Sequence, residues 1–325
     1  MRSHKLFLSA LLVLVLAFTS ILFVAHAQDS SGAGLTIGFA QTGSESGWRT
    51  DFTNAMMSEA EAMGINLLFS DGQQKQENQI AALRSFIAQG VDAIILAPIV
   101  ETGWDDVLQE AADAEIPVLI IDRGVTADPS LYITRVASDF VYEGRLAGAW
   151  LATATADRAS CNVVELYGTV GSSPAIDRAT GFADAIALFP QIQIIASQSG
   201  DFTRSGGKTV MESFLSSMDP STICAVFAHN DDMLIGAIQA MEEAGITPAV
   251  DILTVSVDAT NDELQMLIDG KANATVLLSP YMGGPAYQAI IDYLGGAELP
   301  PLIMVPSAMY FQDTAAAELA NRTGG

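Results

Sequence analysis

The sequence predicts two doubly wound α/β lobes, and three observations carry that reading. From Leu35 onward, ten short apolar runs alternate with longer stretches of helical spacing, the pattern of repeated βα units. The runs are almost continuously apolar rather than alternating, as expected of parallel strands covered on both faces. Ten units are too many for one mononucleotide-type fold, and a break near Val136–Ser138 divides them into two sets.

The first set of strands is read at 35–40 (LTIGFA), 65–70 (INLLFS), 92–98 (DAIILAP), 117–122 (PVLIID) and 131–137 (LYITRVA). The second is read at 161–167 (CNVVELY), 192–197 (IQIIAS), 223–229 (ICAVFAH), 252–257 (ILTVSV) and 274–279 (ATVLLS). Helical patterns lie between them, among them 77–90, 105–115, 204–217 and 231–245. Met63-Gly64, Gln89-Gly90 and Ala244-Gly245 close three helical segments, where a glycine can take the left-handed conformation of a C-cap.

The chain has 325 residues, half of them apolar, with 38 acidic against 14 basic side chains and a formal charge of −24. That balance argues against nucleic acid or an anionic membrane surface as a partner. Arg2 and Lys5 precede the uncharged run Leu6–Val24, and Ala25-His26-Ala27 supplies a small-x-small cleavage pattern. An export signal over residues 1–27, cleaved before Gln28, is expected. The 19-residue run also approaches a membrane span, so an uncleaved anchor is the alternative. Either places the remainder outside the cytoplasm, in the periplasm or beyond the cell. No other segment is long enough to span, 307–311 (SAMYF) included. Cys161 and Cys224 each open an apolar run. They are either a disulfide, if those strands are neighbours, or two buried thiols. No cluster has metal-ligand spacing, and no cofactor is expected.

In open α/β sheets, ligands bind outside the carboxyl ends of strands. Those ends carry Ser44, Glu45, Trp48 and Arg49, then Asp122 and Arg123, Arg178, Phe202, Asn230 with Asp231, and Asp258. Taken singly, Asp122, Asp231 and Asp258 could be caps, Arg178 a surface residue, and Trp48 and Phe202 core. Their coincidence on one rim suits a sugar. Carboxylates and guanidinia bind hydroxyls, and an aromatic ring takes the apolar C–H face. Asp122 is expected to neutralise its neighbour Arg123. The glycine-rich turns GSESG and GTVGSS lack the Lys-Ser/Thr ending of a P-loop and do not read GxGxxG. No nucleophile elbow appears. Asp231 and Asp232 are adjacent and should point apart on a helix, unlike a glycosidase pair. His4 and His26 lie in the signal, and His229 is read as structural. An enzyme is therefore not expected.

The stretches 43–49 (GSESGWR), 71–98, 168–182 (GTVGSSPAIDRATGF), 197–208 (SQSGDFTRSGGK) and 228–240 (AHNDDMLIGAIQA) resemble the sugar-binding proteins of ABC importers. These are type I periplasmic binding proteins of the ribose/galactose cluster, related to LacI-type sensor domains. Within that cluster the stretches look most like the galactofuranose-binding branch. The resemblance implies two Rossmann-like lobes joined by three crossover strands: 34–137 plus 279–306, and 138–278 plus 307–325. It implies a monosaccharide, galactofuranose, held by Glu45, Ser46, Gly47, Trp48, Arg49, Asp122, Arg123, Arg178, Asn230 and Asp258, with Phe202 stacking. It also implies a Cys161–Cys224 disulfide, a monomer, and an ABC permease as partner. A chemoreceptor or sensor kinase is the alternative partner. One departure stands out. The third crossover of ribose-type members carries a polar side chain, whereas Leu277 and Leu278 stand here. A helix-turn-helix, which DNA-binding relatives carry at the N-terminus, is replaced by the signal segment.

Overall fold

The computed structural model describes residues 32–323. The export signal and its cleavage point lie outside the described residues. The first half of the chain runs β1 (Thr36–Gln41), α1 (Gly47–Ala62), β2 (Asn66–Asp71), α2 (Gln76–Gln89), β3 (Ala93–Leu96), α3 (Asp105–Asp113), β4 (Val118–Ile121) and β5 (Thr134–Ala137). The second half continues with α4 (Phe140–Ala154), β6 (Cys161–Tyr167), α5 (Ser173–Ile186), β7 (Ile192–Ser199), α6 (Arg204–Ser217), β8 (Ala225–Ala228), α7 (Asp231–Glu243), β9 (Leu253–Asp258), α8 (Asn261–Ile268) and β10 (Ala274–Leu277). It ends with α9 (Gly283–Leu294), β11 (Leu302–Met304), β12 (Met309–Phe311) and α10 (Gln312–Thr323).

These strands form two six-stranded sheets, ordered β11-β5-β4-β3-β1-β2 and β12-β10-β9-β8-β6-β7. All pairings are parallel except β10 with β12. The central strands β3, β4 and β8 are buried at every residue, as their unbroken apolar runs require. The edge strand β7 is buried only at Ile192 and elsewhere mixes half-buried with exposed positions, because one side of it meets solvent. Gly64, Gly90 and Gly245 all sit at positive φ just past α1, α2 and α7, as their helix-ending role predicts.

The chain crosses between the sheets three times: after β5, after β10, and between β11 and β12. The crossovers are tied together, with Val305 N donating to Ala137 O and Ser138 Oγ to Val305 O. Two strands escaped the sequence reading. β11 and β12 have three residues each, too few to show a period, and each is defined by a partner far away in sequence. The run 131–137 is also shorter than expected, since residues 129–131 form a 3₁₀ turn and the strand begins at Thr134.

Cys161 and Cys224 are joined by a disulfide, with Cα atoms 5.0 Å apart. They sit at the same end of the adjacent strands β6 and β8. In each sheet the strand order reverses between two neighbours, β1/β3 in one and β6/β8 in the other. A crevice opens at such a switch point, at the carboxyl ends of the strands.

Candidate functional site

The two crevices face each other across a cleft. Glu45, Ser46, Trp48, Arg49, Asp122, Arg123, Arg178, Phe202, Asn230 and Asp258 line it, together with Pro174 and Leu278. Of the eleven residues expected at a ligand site, only Gly47 stays out of the lining. Its N–H donates to Asp232 Oδ2 at 2.7 Å, bridging the two halves. Gly124 N to Ser173 Oγ at 2.7 Å and Glu101 N to Gly171 O at 3.0 Å do the same on another side, so the described conformation is closed.

One wall comes from the ends of β1 and β4. Ser46 caps α1 by accepting the Arg49 N–H. This sets Glu45 just before the helix and Arg49 one turn along, so that Arg49 Nε meets Glu45 Oε1 at 3.1 Å. Arg49 Nη1 reaches Asp122 Oδ2 at 2.8 Å. Arg123 Nη2 donates to the same Glu45 oxygen at 3.2 Å and Nη1 to the Ile99 carbonyl at 3.1 Å. The expected pairing of Asp122 with Arg123 is present as a long ion pair, Arg123 Nε standing 4.0 Å from Asp122 Oδ2, but the shorter bond of Asp122 goes to Arg49, which sequence adjacency did not indicate. Asp122 holds a left-handed backbone at φ 59°, which costs energy for a non-glycine residue. Arg135 secures that turn by donating twice to the Asp122 carbonyl. It is a support that no local sequence pattern disclosed.

The opposite wall comes from β6, β8 and β9. Arg178, in the second turn of α5, is fully buried. Its Nε donates to Glu143 Oε2 at 2.9 Å and its Nη1 to the His229 carbonyl at 2.6 Å. Asp258 ends β9 at φ 125° and approaches Arg178 Nη2 to 3.8 Å. Asn230 is the N-cap of α7. Its Oδ1 accepts from Met233 N and its Nδ2 donates to the Phe202 carbonyl. Asp231 turns away, taking the hydroxyls of Ser256, Thr260 and Thr275, while Asp232 meets Gly47 and Arg204. The adjacent pair thus points apart, as read from the sequence. His229 sits in the core, with Nδ1 accepting from Gly168 N and Nε2 donating to Glu165.

Burial pushes the Glu45 carboxyl up, but Arg49 and Arg123 outweigh it and hold it below the usual range. Arg123 is depressed to about 10 by burial and by the neighbouring Arg49. On the other wall burial dominates. Asp258 lies well above the ordinary carboxylate range, Arg178 pulling it down while Asp231 and Glu143 push it further up.

Phe202 is buried at φ 60° after β7, with the Arg123 guanidinium 5.3 Å from its ring centre. A side chain at Gly168 would collide with that ring, so the close approach requires glycine there. Trp48 stacks on Phe52 at 5.2 Å, and its Nε1 donates to the Leu278 carbonyl at 2.6 Å. Leu278, which also lines the cavity, therefore anchors Trp48 through its backbone.

Three buried polar atoms of the lining have no hydrogen-bond partner: Glu45 Oε2, Arg123 Nε and Arg178 Nη2. Buried polar groups are nearly always hydrogen-bonded. One acceptor and two donors converging on a cavity call for a ligand that both donates and accepts, which a hydroxyl does. Among the described residues no acidic, histidine or cysteine cluster could hold a metal ion.

Residues 37–298 match the family described as periplasmic binding protein domain. The chain is 54% identical to the galactofuranose-binding protein YtfQ of Escherichia coli (strain K12), over 94% of this chain and 97% of that one. It superposes with a TM-score of 0.86 and 54% identity on the periplasmic binding protein component of the arabinose ABC transporter from Shewanella sp. ANA-3, bound to α- and β-L-arabinofuranose, covering 89% and 96% of the two chains. A Mycobacterium smegmatis protein in complex with β-D-fucofuranose gives 0.87 at 49% identity, covering 89% and 95%.

Proposed function

The chain belongs to the periplasmic binding protein family, and on that premise we propose that it captures galactofuranose in the cleft and delivers it to an ABC permease. The observation that carries this is the trio of buried atoms without hydrogen bonds on Glu45, Arg123 and Arg178. The similar proteins support a furanose ring, since two of their structures hold furanoses. Glu45 is held ionised and accepts a sugar hydroxyl. Arg123 and Arg178 donate to sugar oxygens. Asp258, whose carboxyl burial raises well above the ordinary value, stands beside Arg178 and meets a sugar hydroxyl. Phe202 and Trp48 supply apolar faces, and Leu278 meets a C–H edge. No covalent step is required, so the role is binding and release rather than catalysis. The protein acts as a monomer in the periplasm, exported by its N-terminal segment.

Closure buries the ligand and, with it, the charges of both walls, which ties binding to a hinge motion about the three crossovers. A thermal-shift screen of the chain from Gln28 against galactose, arabinose, ribose and fructose solutions, and against synthetic furanosides, tests the reading. Ligand at 100 times its dissociation constant stabilises by about 2.7 kcal/mol, a rise of several degrees. A shift ordered by furanose content is expected. A shift with ribose alone would remove galactofuranose, and no shift with any sugar would overturn the sugar reading.

A further inference from the structure

Arg178 has three donor nitrogens and engages two of them inside the protein. Nε is held by Glu143 and Nη1 by the His229 carbonyl, which leaves Nη2 directed at the cleft. A guanidinium is planar, so fixing two of its nitrogens fixes the third. Glu143 does not line the cavity and is fully buried. Its second oxygen accepts from Ser307 Oγ at 3.2 Å, in the segment that crosses between β11 and β12. The helices carrying the pair are in backbone contact. A Cβ at Gly144 would run into the Arg178 carbonyl, and one at Gly181 into the Val141 carbonyl. That close packing lets the carboxylate of Glu143 reach Nε directly. Phe140 places its ring 5.2 Å from the guanidinium carbon and closes off the side.

We propose that Glu143 is the positioning residue that aims Arg178 at the ligand, and that its charge sets how tightly the ligand is held. This rests on the reading of the cleft as a sugar site. Three titratable groups bear on Glu143. Arg178 from α5 favours its charged form, Asp122 across the cleft opposes it, and Asp258 at the end of β9 shares the same guanidinium. Ser307 faces it from the crossover and is neutral. Burial raises the Glu143 carboxyl to about 7, with Arg178 pulling against that rise, so the aim of Arg178 loosens as Glu143 gains a proton near neutral pH.

The test uses the full chain from Gln28, D-galactose as probe, and the isosteric variant Glu143→Gln. Wild-type affinity is expected to fall about tenfold from about pH 8 to about pH 5.5, the difference between a charged and a neutral hydrogen-bond partner. Glu143→Gln is expected to give a flat profile at the weaker value. The same pH profile in both proteins would overturn the proposal. A second measurement needs neither sugar nor variant: the ¹⁵N resonance of Arg178 Nε in the ligand-free wild type. It is expected to move with pH around 7, and a resonance that stays fixed would overturn the proposal. Wild type that binds no sugar at any pH would instead remove the sugar reading, and the Nε titration would still decide the role of Glu143.

Discussion

The two walls of the cleft solve the same problem differently. The wall from β1 and β4 sets two arginines, Arg49 and Arg123, against two carboxylates, Glu45 and Asp122. The wall from β6, β8 and β9 sets one arginine, Arg178, between two carboxylates, Glu143 and Asp258. The first balances its charge and keeps Glu45 ionised. The second cannot, and burial drives both its acids up. The wall that answers to protonation near neutral pH is the second, since two arginines hold Glu45 charged on the first while Glu143 lies at about 7.

The largest effect expected from breaking this contrast is on the balanced wall. Asp122→Ala leaves Arg49 with one buried partner fewer, and removing one member of a buried pair costs roughly 3–5 kcal/mol. Asp258→Asn, on the unbalanced wall, removes a charge that burial already disfavours and is expected to change stability by less than about 1 kcal/mol. Urea denaturation of the two variants compares them, and equal losses would erase the distinction between the walls.

Next in size is the disulfide, which sits only in the half that bears the unbalanced wall. Replacing Cys161 and Cys224 by alanine is expected to lose about 2–4 kcal/mol. Hydrogen exchange should place the loss in β6 and β8 and leave β3 and β4 protected. Uniform loss of protection would show the two halves to be one cooperative unit.

A stabilising change, smaller than the loss expected at Asp122 or at the disulfide, sharpens the comparison behind the unbalanced wall. Glu263 is fully buried with neither carboxyl oxygen hydrogen-bonded. Burial, and then the charge of Asp231, raise its carboxyl well above the ordinary value. In the unfolded chain it ionises at the ordinary value, so the folded state binds the extra proton. Stability therefore falls as pH rises above the usual carboxylate range, until the folded group itself ionises. Glu263→Met removes that slope and is expected to stabilise by roughly 1–3 kcal/mol at neutral pH. Thermal melts of both proteins from about pH 5 to about pH 8 check it, and parallel curves would contradict it.

Much of this was legible in the sequence because the relevant signals are local. Unbroken apolar runs such as AIIL and VLII mark buried strands. The carboxyl-end rule then points at the residue that follows each one, which is how Asp122, Asn230 and Asp258 were found. What stayed hidden depends on residues far apart in the chain. Glu143 reads as one more acid on a helix until Arg178, 35 residues on, folds against it. Asp122 seemed the partner of Arg123 by adjacency, and only the left-handed turn reveals Arg49. β11 and β12 are strands solely because β5 and β10 offer them an edge.

The central claim is a furanose held between unlike walls, and the ring form can be observed directly. A ¹³C spectrum of [1-¹³C]galactose with the chain from Gln28 would resolve the anomeric carbon of the bound sugar. The account predicts a bound signal at the furanose position, enriched far beyond its share in free solution. A bound signal at the pyranose position, or none at all, would contradict it.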